Sequence, residues 1–267
     1  MLTSTQNPLV KEIKKLHQAK GRREQQLFLL EGTHLLEEAC AADYPLVNVC
    51  CTPQWQERHQ QLWEDAAQRC QRAEVVSQEV MQAVATTVQP DGVVATAKRR
   101  QTDNSGDLQG ALLTSLGLAL ETVQDPGNLG TIIRAAAAAG AERLWLSGDS
   151  VDLDNPKVLR SSAGQWFRMP VSVSPDLKAV ICQCQAQGTQ VVATVPEATL
   201  SYWDIDLRRP TLILLGNEAA GLSRDLVSQA DTRVQIPLMP GVESLNVAIA
   251  AALMLYEAQR QRITTRK

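Results

Sequence analysis

Arg134 sits in the run DPGNLGTIIRAAAAAG, Asp125 to Gly140, among leucine, isoleucine and alanine. A helix there buries Leu129, Ile132, Ile133 and Ala136, and packing alone has no use for a guanidinium in its middle. Helical side chains lean toward the N-terminus, so Arg134 projects over Gly130 one turn below, with Gly127 continuing the row toward the preceding loop. Bare backbone at the positive end of a helix, with an arginine above it, suits an anionic or hydroxyl-bearing substrate. A structural salt bridge is the other reading of Arg134. Asn128, near the helix start, either caps it or presents its amide to the same substrate.

Two later segments carry comparable residues. In LILLGNEAAGLS, Leu212 to Ser223, a buried strand runs into Gly216, a loop, Gly221 and a helix. The spacing is close to that of a nucleoside-triphosphate loop, but Leu222 stands where that loop needs lysine. Glu218 would also set a negative charge beside phosphate, so ATPase and GTPase activity are excluded on charge. What remains is either a plain strand-to-helix turn or a site for a polar or cationic ligand that uses Glu218. In IPLMPGVESLNVAIAAALMLYEAQ, Ile236 to Gln259, Ser244 and Asn246 stand where a long helix begins. One of them suffices to cap it, which leaves the other for a ligand. That helix is apolar nearly all round and fits a core or a subunit interface equally.

The elements that position these residues follow from the pattern. LGLALETV, RLWLSG, RMPVSVS, QVVATV, TLILLG and RVQIPL read as strands separated by helices, and a final helix starts near Ser244. Strands this rich in valine, isoleucine and leucine indicate an open parallel α/β sheet, whose ligands bind at the carboxyl ends of the strands. The first 97 residues form a smaller α/β pattern, with NPLVKEIKKLHQ, THLLEEACAA and WQERHQQLWEDAAQRC as helices. Its strands are LFLLEG, LVNVCCT and GVVATAK. The aperiodic polar stretch KRRQTDNSGDLQG, 98–110, reads as a linker to a second domain, 111–267.

Composition narrows the chemistry. All three histidines (His17, His34, His59) precede residue 60, so a site in the second half works without histidine. The six cysteines include no C-x-x-C, and neither a zinc site nor a disulfide framework follows from their spacing. No metal is expected. No apolar run reaches the roughly 18 residues of a membrane span, and the start of the chain has no signal-peptide core, so a cytoplasmic protein is expected. A net charge of −3 argues against wholesale coating of nucleic acid. Locally, KEIKKLHQAKGRR holds six basic residues and one acid. Lys11, Lys14, Lys15, Arg22 and Arg23 there are either a solvated helix face or a phosphate-contacting patch for RNA.

Taken together, DPGNLGTIIRAAAAAG, LLGNEAAGLS and IPLMPGVESLNVAIAAALMLYE resemble, in order, the three motifs of the SpoU (TrmH-like) RNA ribose methyltransferases of the SPOUT superfamily. The resemblance covers roughly residues 110 to 262, with NPKVLRSSAGQWFRMPV similar to the family's connecting segment. The N-terminal STQNPLVKEIKKL…FLLEGTHLLEEA is similar to the ribosomal-protein-L30e-like substrate-binding domain of one subgroup. Ala135 and Ala248 depart from residues frequent in the family, threonine and serine, without removing a principal functional group.

The resemblance implies a SPOUT domain with a deep trefoil knot, a homodimer, and S-adenosylmethionine as cofactor. It implies cofactor contacts at Gly216, Ile236, Leu245 and Thr194, and a catalytic group of Asn128, Arg134, Glu218, Ser244 and Asn246. The reaction implied is methyl transfer to a ribose 2′-hydroxyl, in ribosomal RNA or alternatively transfer RNA. A guanidinium resists deprotonation, so Arg134 is expected to hold the adjacent phosphate and stabilise the developing alkoxide. A non-catalytic RNA adaptor is the competing reading; it expects decayed motifs, and Arg134, Glu218 and Asn246 are all present. An NAD-dependent oxidoreductase needs a G-x-G-x-x-G that DPGNLG does not supply.

Overall fold

In the computed structural model, which describes residues 1–100 and 113–264, every strand read from the sequence is present. The first elements are α1 (Pro8–Lys15), α2 (Ala19–Gln25), β1 (Leu27–Glu31), α3 (Thr33–Ala41) and β2 (Leu46–Cys51). They continue with α4 (Pro53–Arg58), α5 (Gln60–Arg69), β3 (Arg72–Val75), α6 (Gln78–Val84) and β4 (Val93–Lys98). Next come β5 (Leu116–Leu120), α7 (Pro126–Ala138), β6 (Arg143–Ser147), α8 (Pro156–Ser161) and β7 (Val171–Ser174). The chain then forms α9 (Leu177–Ala186), β8 (Gln190–Thr194), β9 (Leu200–Ser201) and β10 (Thr211–Leu215). It closes with α10 (Arg224–Gln229), β11 (Thr232–Gln235) and α11 (Val247–Thr264). Of the expected linker, Lys98 ends β4 and Arg99 and Arg100 are described, whereas 101–110 lies outside the described residues.

The chain divides into two units. The first is Met1–Arg100 together with Asp152–Arg168, and the second holds the remaining described residues. The division is therefore not a single cut near residue 97. Charge pairing explains why the later segment joins the first unit. Arg22 donates to Asp152 (2.7 Å) and Arg99 to Asp154, while Arg160 on α8 donates to the buried Glu31 carboxylate (2.8 Å). Burial pushes the Glu31 pKa up, but hydrogen bonds from Thr86 and Thr87 and the nearby Arg160 charge outweigh it and hold the group below the ordinary value. Trp166 adds an aromatic contact with Phe28 at 4.9 Å.

Within the first unit a four-stranded mixed sheet has the order β1-β4-β2-β3. The run WQERHQQLWEDAAQRC forms two helices rather than one, broken at His59, where no proline or glycine announces the break. The basic run likewise spans α1 and α2. Gly21 lets α2 close on α1: a Cβ there would lie 2.0 Å from the Lys15 carbonyl oxygen. Lys11, Lys14, Lys15 and Arg23 are exposed, but Arg22 is only 2% exposed. Its guanidinium also donates to the carbonyls of Leu16 (2.8 Å) and His17 (3.2 Å). The expectation that Arg22 contacts RNA is thereby corrected: burial and four internal hydrogen bonds leave it no reach to a phosphate.

The second unit is a seven-stranded parallel sheet in the order β7-β6-β5-β10-β8-β11-β9. Its central strands, LGLAL in β5 and TLILL in β10, are buried at every position, as expected of strands covered on both faces. Each large apolar side chain so buried contributes about 1.5–3 kcal/mol. α7 begins at Pro126, behind Asp125, whose carboxylate accepts from the Asn128 amide (2.9 Å). Gly127 and Gly130 thus both lie inside the helix. Gly140, at φ +76°, ends it in the left-handed conformation.

Removing Arg22 strands a partly buried carboxylate and two carbonyls. Arg22→Ala should lower the unfolding free energy by about 3 kcal/mol. The reading is a lower urea midpoint at an unchanged slope, and a midpoint equal to the parent's would show the pair to be idle.

Candidate active site

Strand order brings the three segments together. β10 pairs with β5 through Leu215 and Leu120 and with β8 through Leu214 and Ala193, and β11 lies on the far side of β8. The carboxyl ends of β5, β10, β8 and β11 therefore stand side by side. They release, in the same order, the turn before α7, the loop from Gly216, the loop from Val195 and the loop to α11.

Three of the sequence-predicted residues form one hydrogen-bonded chain. Asn246 Nδ2 donates to Asn128 Oδ1 (2.9 Å), and Asn128 Nδ2 donates to Glu218 Oε1 (3.1 Å). Asn246 is also the cap of α11, its Oδ1 accepting from the amides of Ala248 (2.9 Å) and Ile249 (3.3 Å). One residue thus does both jobs, and Ser244 is left over at the surface of the loop. Glu218 accepts four hydrogen bonds, two on each oxygen. They come from the amides of Gln124 and Asp125 (both 3.2 Å) and the side chains of Asn128 and Asn217 (3.4 Å). A carboxylate has about four lone-pair sites, so all are taken. Partial burial raises the Glu218 pKa, but these donors outweigh it and hold the group below its ordinary value. It is ionised at neutral pH, with no vacant acceptor for a substrate proton.

Asn217 is the residue that sequence reasoning missed. Its Nδ2 donates to the Thr122 carbonyl (2.8 Å), and its Oδ1 accepts from the amides of Ala219 and Ala220 (both 2.9 Å). An asparagine between a strand and a Gly-flanked loop is a turn signal that could have found it. Asn217 and Gly221 exchange two backbone hydrogen bonds across the loop neck. Gly216 is glycine because that neck is tight: a Cβ there would lie 2.1 Å from the Gly221 carbonyl carbon.

Beside this network lies a cavity of about 880 Å³. Its lining includes all four residues expected to touch a cofactor, Thr194, Gly216, Ile236 and Leu245, together with Glu218 and Ser244. Thr194 Oγ1 is buried in it without a hydrogen-bond partner. A buried polar atom in that condition is costly unless a ligand supplies the missing partner. The volume is that of a drug- or nucleoside-sized ligand site. Asn128, Asn246 and Arg134 do not line the cavity. Arg134 is exposed on α7, six residues and about 9 Å of helix rise from Asn128. Among the described residues it makes no hydrogen bond or ion pair, so the salt-bridge reading of this arginine fails. Among the described residues no cluster of histidine, cysteine or carboxylate side chains could hold a metal ion.

Comparison with known proteins agrees with this geometry. Residues 115–256 match the SpoU rRNA methylase family, and residues 7–95 match the MRM3-like substrate binding domain. The chain is 48% identical to an uncharacterized tRNA/rRNA methyltransferase of Synechocystis, covering 98% of this chain and 94% of the relative. It is 32% identical to the 23S rRNA (guanosine(2553)-2′-O)-methyltransferase RlmP of Bacillus subtilis, covering 96% and 97%. The crystal structure of the AdoMet-bound rRNA methyltransferase from Sinorhizobium meliloti superposes with a TM-score of 0.85 at 32% identity, covering 97% of both chains. With its three motifs joined by one hydrogen-bonded chain and its match extending along nearly the whole length, the chain belongs to the SpoU rRNA methylase family.

Proposed function

We propose that this chain transfers a methyl group from S-adenosylmethionine to a ribose 2′-hydroxyl of ribosomal RNA. The observation that carries the proposal is the Asn246–Asn128–Glu218 chain, whose Glu218 lines a cavity that holds an unpartnered Thr194 hydroxyl. Relatives across nearly the full length, named as 23S rRNA 2′-O-methyltransferases or solved with AdoMet bound, support it.

The cavity residues fit the cofactor. Thr194, Gly216, Ile236 and Leu245 would hold it, and Thr194 Oγ1 would gain the hydrogen bond it lacks. When bound, S-adenosylmethionine supplies an activated methyl on a sulfonium, so the protein's part is alignment and loss of the hydroxyl proton. Glu218 fixes the Asn128 amide, which fixes Asn246. Each of these amides has a second Nδ2 hydrogen to present to a substrate oxygen. Ser244 adds a hydroxyl on the same loop. Arg134, unpaired among the described residues, holds the phosphate next to the target ribose and stabilises the alkoxide that develops. Because Glu218 is fully engaged and a guanidinium has no acceptor, the proton leaves to water.

The remaining parts of the reading concern assembly. Insertion of β10 between β5 and β8, and of β11 between β8 and β9, supports a knotted SPOUT domain. Ile249, Tyr256 and Ile263 are about half exposed and recur every seven residues along α11, with Met239 and Val242 exposed on the preceding loop. An apolar stripe of this kind supports a homodimer through α11. Lys11, Lys14, Lys15 and Arg23 support RNA capture by the first unit. Among the described residues no helix is long and apolar enough to cross a membrane, and we place the protein in the cytoplasm with its substrate.

Three measurements test these proposals. Arg134→Ala should reduce single-turnover methylation of unmodified ribosomal RNA by at least about a hundredfold and leave the cofactor dissociation constant nearly unchanged. Normal turnover in that variant would refute the assigned role, and transfer RNA serves as the control substrate. Converting Lys11, Lys14, Lys15 and Arg23 to alanine should weaken RNA binding and flatten its dependence on salt, because fewer counterions are released. An unchanged salt slope would return these residues to an ordinary solvated face. Tyr256→Glu should shift the sedimentation coefficient toward the monomer; a parent that already sediments as a monomer would end the dimer proposal.

A further inference from the structure

The turn that feeds Glu218 carries an unusual residue. Thr122 has φ +54°, a left-handed conformation that β-branched side chains rarely adopt. Something must hold it there, and the contacts are explicit. The Thr122 amide donates to Ser147 Oγ (2.7 Å), and Thr122 Oγ1 donates to Asp149 Oδ2 (2.8 Å). Ser147 Oγ donates to Asp149 Oδ1 (2.6 Å) and lies 2.9 Å from Ser150 Oγ, which accepts from the Val123 amide (3.1 Å). The Asp149 carbonyl accepts from the Gln124 side chain (2.8 Å).

Only one arrangement of hydroxyl protons satisfies these contacts. Ser147 has a single proton and gives it to Asp149, so Ser150 must donate to Ser147. The hydroxyl protons of Thr122 and Ser147 then point at the Asp149 carboxylate, and that of Ser150 at Ser147 Oγ. Hydrogen bonds from Ser147 and Thr122 hold that carboxylate below its ordinary pKa against a partial burial that raises it. On its other side the same turn performs the site's backbone work. The Thr122 carbonyl accepts from Asn217, and the next amides, of Gln124 and Asp125, are two of the four donors on Glu218.

We propose that Asp149 is a positioning residue for methyl transfer: through the left-handed Thr122 it sets the Gln124 and Asp125 amides and the Asn217 side chain around Glu218. Asp149 touches no reacting atom. The proposal rests on the reading that the Glu218–Asn128–Asn246 chain serves the reaction. It makes Ser147, at the end of β6, and Ser150, in the turn after it, part of the same support.

The test uses the logic of glycine. Glycine adopts a positive φ at no steric cost, so Thr122→Gly removes the need for the clamp. In the full-length protein, Asp149→Ala should slow single-turnover methylation of unmodified ribosomal RNA by roughly tenfold to a hundredfold. Cofactor affinity should stay within about twofold, since the cavity lining is untouched. Hydrogen exchange of the Gln124 and Asp125 amides should accelerate. In a Thr122→Gly background the same Asp149→Ala change should cost less than about threefold, the non-additivity expected of residues acting through one another. An Asp149→Ala enzyme with parental rate and parental exchange would overturn the proposal. So would a slow Asp149→Ala enzyme that Thr122→Gly does not rescue, because its defect would not run through the turn. Glu218→Ala separates the two readings. If that variant turns over normally, the role of the Glu218 chain in methyl transfer falls, while exchange at Gln124 and Asp125 in Asp149→Ala still decides whether Asp149 positions the turn.

Discussion

The second unit depends on one strand with two partners. β10 enters the sheet after β8 and pairs with β5 on one edge and β8 on the other, buried throughout. In a parallel sheet a slip by one residue would turn Leu212 and Leu214 to the opposite face, so two partners specify the register twice over. That register decides where Gly216 emerges, between the Thr122 turn and Thr194. The loop neck then needs a glycine because the returning backbone of Gly221 occupies the space of a side chain. Glu218 reaches the amides after β5 because everything before it is fixed.

The resulting site is built to donate hydrogen bonds. Backbone amides and two asparagine side chains converge, and the one carboxylate among them has no capacity left for a substrate. Such an arrangement leaves the carboxylate to position its neighbours rather than to remove a proton. This is consistent with chemistry in which the methyl group arrives activated and geometry limits the rate. The arginine that began as an anomaly in an apolar helix stands exposed on α7, outside this fixed set of dipoles.

Much of this was legible in the sequence. The strands announced themselves as buried runs, and Asn128, Glu218 and Asn246 stood out as polar groups where apolar or glycine neighbours made them conspicuous. Their convergence was legible only through family resemblance, because strand order is a long-range property that periodicity does not encode. Arg22 shows the limit more sharply. As a member of a basic run it looks like its exposed neighbour Arg23, yet its partner Asp152 is 130 residues away. Thr122 was invisible for the opposite reason: its conformation is imposed by Ser147 and Asp149, and nothing local marks a threonine for a positive φ. The break at His59 and the short edge strand β3 lack both glycine and hydrophobic periodicity, so no composition signal reaches them.

The assembly of the first unit from two stretches of chain bears on the order in which the protein is made. A ribosome delivers Met1–Arg100 first, then β5, α7 and β6 of the other unit, and only afterwards Asp152–Arg168. Until that last stretch emerges, Arg22 and Glu31 have no ion-pair partner, and the face of Phe28 and Tyr44 lacks Trp166. The nascent first unit is therefore held short of its final stability while the second begins to form, and the two units mature in overlap rather than in succession.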